Sequence, residues 1–162
     1  MRKLIFGVAL LLALLCMSSA GWSATHGYSA LLQGIQELPL NASPATGLGT
    51  FVYDDVAPTL QYNVTFSGLS ALETGAHIHG PAVVGVNAGV IFPLPAGSPK
   101  IGVWNMTATQ AGWLTSQQLY VNVHSQNFPG GEIRGQIIPE PSSLAALGLG
   151  ACSIILTRRR RR

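Results

Sequence analysis

The chain has 162 residues, 48% hydrophobic and only 9% charged. About a quarter charged is usual for a soluble domain, so a disordered polyelectrolyte and a salt-bridged cytosolic helix bundle are both excluded. The net charge of +3 sits at the ends: Arg2, Lys3 and Arg158, Arg159, Arg160, Arg161 and Arg162 are seven of the nine basic residues. Residues 25–138 hold Lys100 and Arg134 against Glu37, Asp54, Asp55, Glu73 and Glu132, a net charge of −3. No basic footprint for nucleic acid lies there.

Arg2 and Lys3 precede an apolar run from Leu4 to Met17, and Ser18, Ser19 and Ala20 follow. That order predicts a secretory signal peptide over residues 1–24, with cleavage after Ala20 and export through the Sec machinery. Both cysteines, Cys16 and Cys152, lie in the ends, so the exported domain must be stable without a disulfide. A domain of about 115 residues can bury enough core for that.

The middle reads as all-β. Ser29 to Gln36 and Thr50 to Tyr53 are strand candidates, and Asp54-Asp55 reads as a turn. Leu60 to Phe66 alternates apolar and polar without a break, a half-buried strand. Val90 to Leu94 and Val103 to Ala108 follow, and Thr109 to Gln118 can carry a helical turn. Leu119 to His124 is rich in β-formers, and Glu132 to Ile137 alternates again. Short strands with regular turns predict an antiparallel β-sandwich or a partly closed barrel. Sequons at Asn41, Asn63 and Asn105 read as chance matches.

Nucleophile elbows, phosphate loops and zinc-protease motifs are missing from the sequence, so no enzymatic activity is expected. The histidines stand out. His77-Ile78-His79 puts two imidazoles on one face of an extended segment, with Cα atoms about 6.5–7 Å apart. His124 closes a separate strand, and three imidazoles suit copper or zinc. Glu132 and Arg134 share a strand face, so they pair with each other or meet charges on a neighbouring strand, an exposed pairing worth about 0–1 kcal/mol. Gly130 and Gly131 after Pro129 are expected to supply the positive φ of a tight turn. Trp104 and Trp113 are the aromatic candidates for a polysaccharide-binding face.

The C-terminus reads Pro139-Glu140-Pro141, an apolar stretch from Ser142 to Thr157, then five arginines. As a helix that stretch spans roughly 24 Å, marginal for a ~30 Å hydrocarbon core. The arginines would keep the end cytoplasmic. This three-part order resembles the PEP-CTERM sorting signal over 139–162. The resemblance implies a transient transmembrane helix, removal of the tail by an exosortase, and release to the cell surface or extracellular matrix of a polysaccharide-producing bacterium.

A second resemblance covers residues 25–138. Leu31-Leu32-Gln33-Gly34 with Glu37 and Pro39, His77-Ile78-His79-Gly80-Pro81-Ala82, Leu119 to His124, and Phe128 to Ile137 with Gly130, Gly131, Glu132 and Arg134 resemble the CHRD domain. It implies an immunoglobulin-like β-sandwich or barrel and does not imply a known activity. The H-x-H pair with a later V-x-V-H is also similar to Cu/Zn superoxide dismutase. That similarity implies His77, His79 and His124 as copper ligands. The bridging and zinc-loop histidines and the disulfide cysteines have no counterpart, so it does not extend to dismutase activity. The expected function is a non-enzymatic surface or matrix component. The alternatives are a copper- or zinc-binding protein and a polysaccharide-binding module.

Overall fold

The computed structural model describes residues 25–140. The signal peptide and the tail from Pro141 onward, with its expected transmembrane helix, lie outside the described residues. Among the described residues no helix is long and apolar enough to cross a membrane.

Nine strands run in chain order: β1 (Thr25–Gln33), β2 (Thr46–Asp54), β3 (Thr59–Ser67), β4 (Glu73–His79), β5 (Val90–Pro93), β6 (Lys100–Asn105), β7 (Tyr120–Ser125), β8 (Ile133–Gln136) and β9 (Ile138–Pro139). A 3-10 turn, Gly34–Gln36, follows β1. Among the described residues one α-helix, α1 (Ala108–Thr115), precedes β7. Thr107 caps it, with Gln110 completing the reciprocal capping pair that satisfies two orphan amides.

The strands form one antiparallel sheet in the order β5-β4-β7-β8-β1-β2-β3-β6, with β9 beside β1. This is a nearly closed barrel, the second of the two expected architectures, and not a sandwich of two separate sheets. β2 and β3 pair along their full length, from Thr46↔Ser67 to Asp54↔Thr59. The connecting turn is held by Asp54 Oδ1, which accepts from the amides of Val56 (2.9 Å) and Ala57 (3.0 Å). The seam between the edge strands is closed by side chains. Phe92 of β5 stacks on Trp104 of β6 at 4.8 Å, and Tyr62 meets the edge of Phe92 at 5.9 Å. Lys100 of β6 is fully buried and pairs with Glu73 of β4, while its ammonium also donates to the Pro95 carbonyl at 2.7 Å.

The barrel interior follows the two-residue period. Tyr28, Ala30 and Leu32 of β1, Phe51 and Tyr53 of β2, and Leu60, Tyr62 and Val64 of β3 point inward. Ala76 and Ile78 of β4, Val121 and Val123 of β7, and Ile133 of β8 complete the lining, and α1 adds Ala111 and Leu114. Each fully buried aliphatic side chain stabilises by about 1.5–3 kcal/mol.

On β1–β3 the outward residues meet solvent. On β7 and β8 they do not: Tyr120, Asn122, Arg134 and Gln136 are buried as well. Two segments cover this face. The loop of residues 80–89 is held by Gln136, whose amide donates to the Ala82 carbonyl at 2.9 Å. Residues 37–41 are held by Asn41, whose amide donates to the Glu132 carbonyl at 3.1 Å. The result is a second, polar layer outside the apolar core.

Candidate metal centre

The histidines sit in that polar layer because of strand register. β4 and β7 align Gly75↔His124, His77↔Asn122 and His79↔Tyr120. Ala76, Ile78, Val121 and Val123 go to the core, which sends His77, His79 and His124 to the opposite face together. Gly75, opposite His124, makes room: a Cβ there would press on the His77 ring at 3.3 Å.

The three rings converge. Their centroids are 5.7 Å apart for His77–His79, 5.1 Å for His77–His124 and 6.0 Å for His79–His124. One ring nitrogen from each lies within 4.8 Å of the others. A tetrahedral ion bound at about 2.0–2.1 Å to three imidazoles brings the nitrogens to about 3.4 Å, so modest ring rotation completes the contact.

Protonation is set by the neighbours. His79 Nδ1 lies 3.0 Å from the Ala88 carbonyl, and His124 Nδ1 lies 3.0 Å from the Pro129 carbonyl. A carbonyl only accepts, so each Nδ1 carries the hydrogen. Each Nε2 keeps its lone pair. These two Nε2 atoms and His77 Nδ1 are buried and have no hydrogen-bond partner among the described residues. Burial, the larger cause, lowers the pKa of His79 and His124, though the carbonyl bonds oppose it. Both rings are therefore held neutral, the form that ligates a metal. A carbonyl accepting from the far nitrogen of a ligating histidine is also the usual way such rings are oriented.

Around the cluster the sheet carries a row of supports. Tyr120 stacks on His79 at 5.0 Å and 11°. Arg134, from β8 on the other side of β7, lies over the Tyr120 ring at 3.5 Å. Asn122 separates His77 from Arg134 in the register. Glu37 is 4% exposed, faces Arg134 and Asn122, and leaves Oε1 without a partner among the described residues. Burial raises its pKa to about 7, against the pull of Arg134.

Several expectations need correction. Glu132 and Arg134 are not an exposed pair but are 0% and 2% exposed. Glu132 Oε1 accepts from Ser43 Oγ at 2.6 Å and from the Ser70 amide at 2.7 Å, while Arg134 faces the loop of residues 80–89. Their shared strand face is the covered one. Gly131 does adopt a positive φ of 137°, and a Cβ there would strike Asn122 and Glu37, but Gly130 needs no such freedom. Gly80 is required by close approach, since its Cβ would sit 2.8 Å from the Gln118 carbonyl; Pro81 follows it into the covering loop. Trp104 is buried against Phe92 and offers no open ring to a sugar, while Trp113 is half-buried against the core. Of the sorting residues, Pro139 pairs with Tyr28 and the Glu140 amide donates to the Gly27 carbonyl at 3.0 Å, so the motif leaves the barrel without a linker. Pro141 and Arg158 to Arg162 lie outside the described residues.

Tyr120, Asn87 and Glu37 were not singled out as site residues. A usable signal existed: Tyr120, Asn122 and His124 alternate with valines, and Arg134 and Gln136 repeat the pattern on the next strand.

A cysteine-free antiparallel barrel with a three-imidazole cluster under its covering loops is thus the unit to be classified. The CHRD domain matches residues 28–137, and the chain belongs to the CHRD family. The PEP-CTERM protein-sorting motif matches residues 138–162, which fits an exported protein sorted by an exosortase. No curated protein and no solved structure gives a match.

Proposed function

We propose that this chain is a non-enzymatic, surface-delivered protein whose CHRD barrel binds zinc or copper through His77, His79 and His124. One observation carries the reading. Three buried ring nitrogens, one on each histidine and two with their protonation set by backbone carbonyls, have no partner among the described residues, and one ring nitrogen of each histidine lies within 4.8 Å of the others. A buried polar atom without a partner costs about 1–3 kcal/mol, and a shared metal ion removes that cost at all three.

The donor set is all imidazole, which suits zinc and copper and disfavours magnesium and calcium. A binding role is favoured over catalysis by where the carboxylates go. Glu132 is tied to serines, Glu73 to Lys100, Glu37 to Asn122 and Asp55 to His26. None of these is aimed at the cluster as an acid or base. On this reading the domain acts as a metal-binding component of the surface or matrix after the tail is removed.

Two experiments test it. Elemental analysis of the full chain purified from cells should find zinc or copper near one ion per chain, and a His77→Ala/His79→Ala/His124→Ala variant should carry none. Equal metal in both removes the metal reading. Fractionation with residues 139–162 deleted should show retention in the periplasm, and unchanged surface delivery would remove the sorting part.

A further inference from the structure

The loop of residues 80–89 is fastened to the sheet at a few points, and one of them is the hydrogen bond that sets His79. The Arg134 guanidinium forks across the loop, donating from Nη1 to Asn87 Oδ1 at 2.9 Å and from Nη2 to the Val86 carbonyl at 2.7 Å. Asn87 passes the restraint on, donating from Nδ2 to the Leu38 carbonyl at 3.1 Å. The next residue is Ala88. Its amide donates to the Tyr120 hydroxyl at 3.0 Å, and its carbonyl receives His79 Nδ1–H. Tyr120 lies between Arg134 and His79, in face contact with both.

We infer that Arg134 and Asn87 are positioning residues of the histidine cluster: by fixing the loop at Val86 and Asn87 they place the Ala88 carbonyl where it selects the Nδ1–H form of His79. This rests on the metal reading for its consequence, though not for its geometry. Without the fork, the Ala88 carbonyl keeps the Tyr120 hydroxyl at 3.2 Å and the Gly80–Gly89 bond on its far side, but the Val86–Asn87 side of the loop loses its tie to the sheet and the carbonyl shifts. His79 then divides between two neutral forms, and the one with hydrogen on Nε2 cannot ligate through that atom. The guanidinium fork suits this task because two donors in a plane set both the place and the angle of the loop, which a lysine ammonium cannot do.

The test uses the full chain in detergent and two readouts. The first is the ring-nitrogen NMR signature of His79 in metal-free protein. The second is zinc affinity by competition titration. Arg134→Lys should mix the two His79 forms and weaken zinc about 10–100-fold, the range expected for an outer-shell partner. Asn87→Ala, at an exposed loop position, should shift both readouts in the same direction. Asn87→Asp keeps the acceptor for Arg134 but loses the donor to the Leu38 carbonyl, so both readouts should fall between wild type and Asn87→Ala. If Arg134→Lys does not fold, Asn87→Ala against Asn87→Asp decides the matter. The inference is overturned if Asn87→Ala, and any folded Arg134→Lys, keep His79 wholly Nδ1–H and bind zinc as the wild type does. If the wild type binds no zinc, the metal reading fails, and the NMR signature alone decides the positioning role.

Discussion

Replacing Glu37 by glutamine should make the protein more stable at neutral pH and leave it unchanged in acid. Glu37 Oε1 and Asn122 Oδ1 are both buried acceptors without partners among the described residues, and both border the space that a Cβ on Gly131 would fill. A proton on Glu37, or the amide of a glutamine, gives one of them a donor. The raised pKa follows from burial first, with Arg134 only partly opposing it. The sign is set by linkage. The folded value of about 7 lies above the ordinary carboxyl value of 4.5 that holds in the unfolded chain, so the folded state holds the proton more tightly. The stability this contributes is fully present below pH 4.5 and is lost as the pH rises through 7. The displacement corresponds to about 3 kcal/mol. Glutamine mimics the protonated acid, so the variant and wild type should unfold together at pH 4. At pH 7.5 the variant should be more stable by up to about 3 kcal/mol. For a domain of this size that raises Tm by more than about 10 °C. Thermal unfolding of the full chain followed by tryptophan fluorescence reads it. Taking the difference between the two proteins cancels His79 and His124, whose lowered values act in the opposite direction, adding stability as the pH rises toward 6.5. Equal stability at pH 7.5, or a less stable variant, would refute the reasoning.

Other consequences can be measured on the same protein. Gly135→Ala places a Cβ 2.5 Å from the Leu31 carbonyl, a backbone atom that cannot rotate away, and should cost at least about 2 kcal/mol in chemical unfolding. Phe92→Ala opens the aromatic seam between β5 and β6 and should cost about 2 kcal/mol, while Val103→Ala on the exposed outer face of β6 should change stability by less than about 0.5 kcal/mol. Zinc affinity should weaken in acid solution, and the share due to protonation of His79 and His124 should be lost below the ordinary imidazole range, because burial lowers both.

The parts of the fold that follow local rules could be read from the chain. The unbroken alternation of Leu60 to Phe66 falls within β3, and the β-forming run from Leu119 to His124 largely coincides with β7. β6 runs from Lys100 rather than Val103, since Lys100 is carried inside by its pairing with Glu73, a contact across 27 residues that no local pattern shows. The end of the first strand moved from Gln36 to Gln33 because Gly34 turns the chain under Asn41. The His77–His79 pair was legible because a two-residue spacing has one meaning on a strand, and His124 because it ends a strong one. The burial of Glu132 and Arg134 was not legible. Alternation says which residues share a face, but the covering loops that bury this face come from residues 37–41 and 80–89, far along the chain. Glu37, Asn87 and Ala88 entered the site for the same reason: each is brought by a loop whose position is set by tertiary hydrogen bonds.

The central claim is that His77, His79 and His124 form one metal site. Competition titration of the full chain with zinc and with copper, beside His77→Ala, tests it most directly. The account predicts one site of micromolar or tighter affinity in the wild type and its loss in the variant, with the barrel still folded. No binding by the wild type, or equal binding by both proteins, would contradict it.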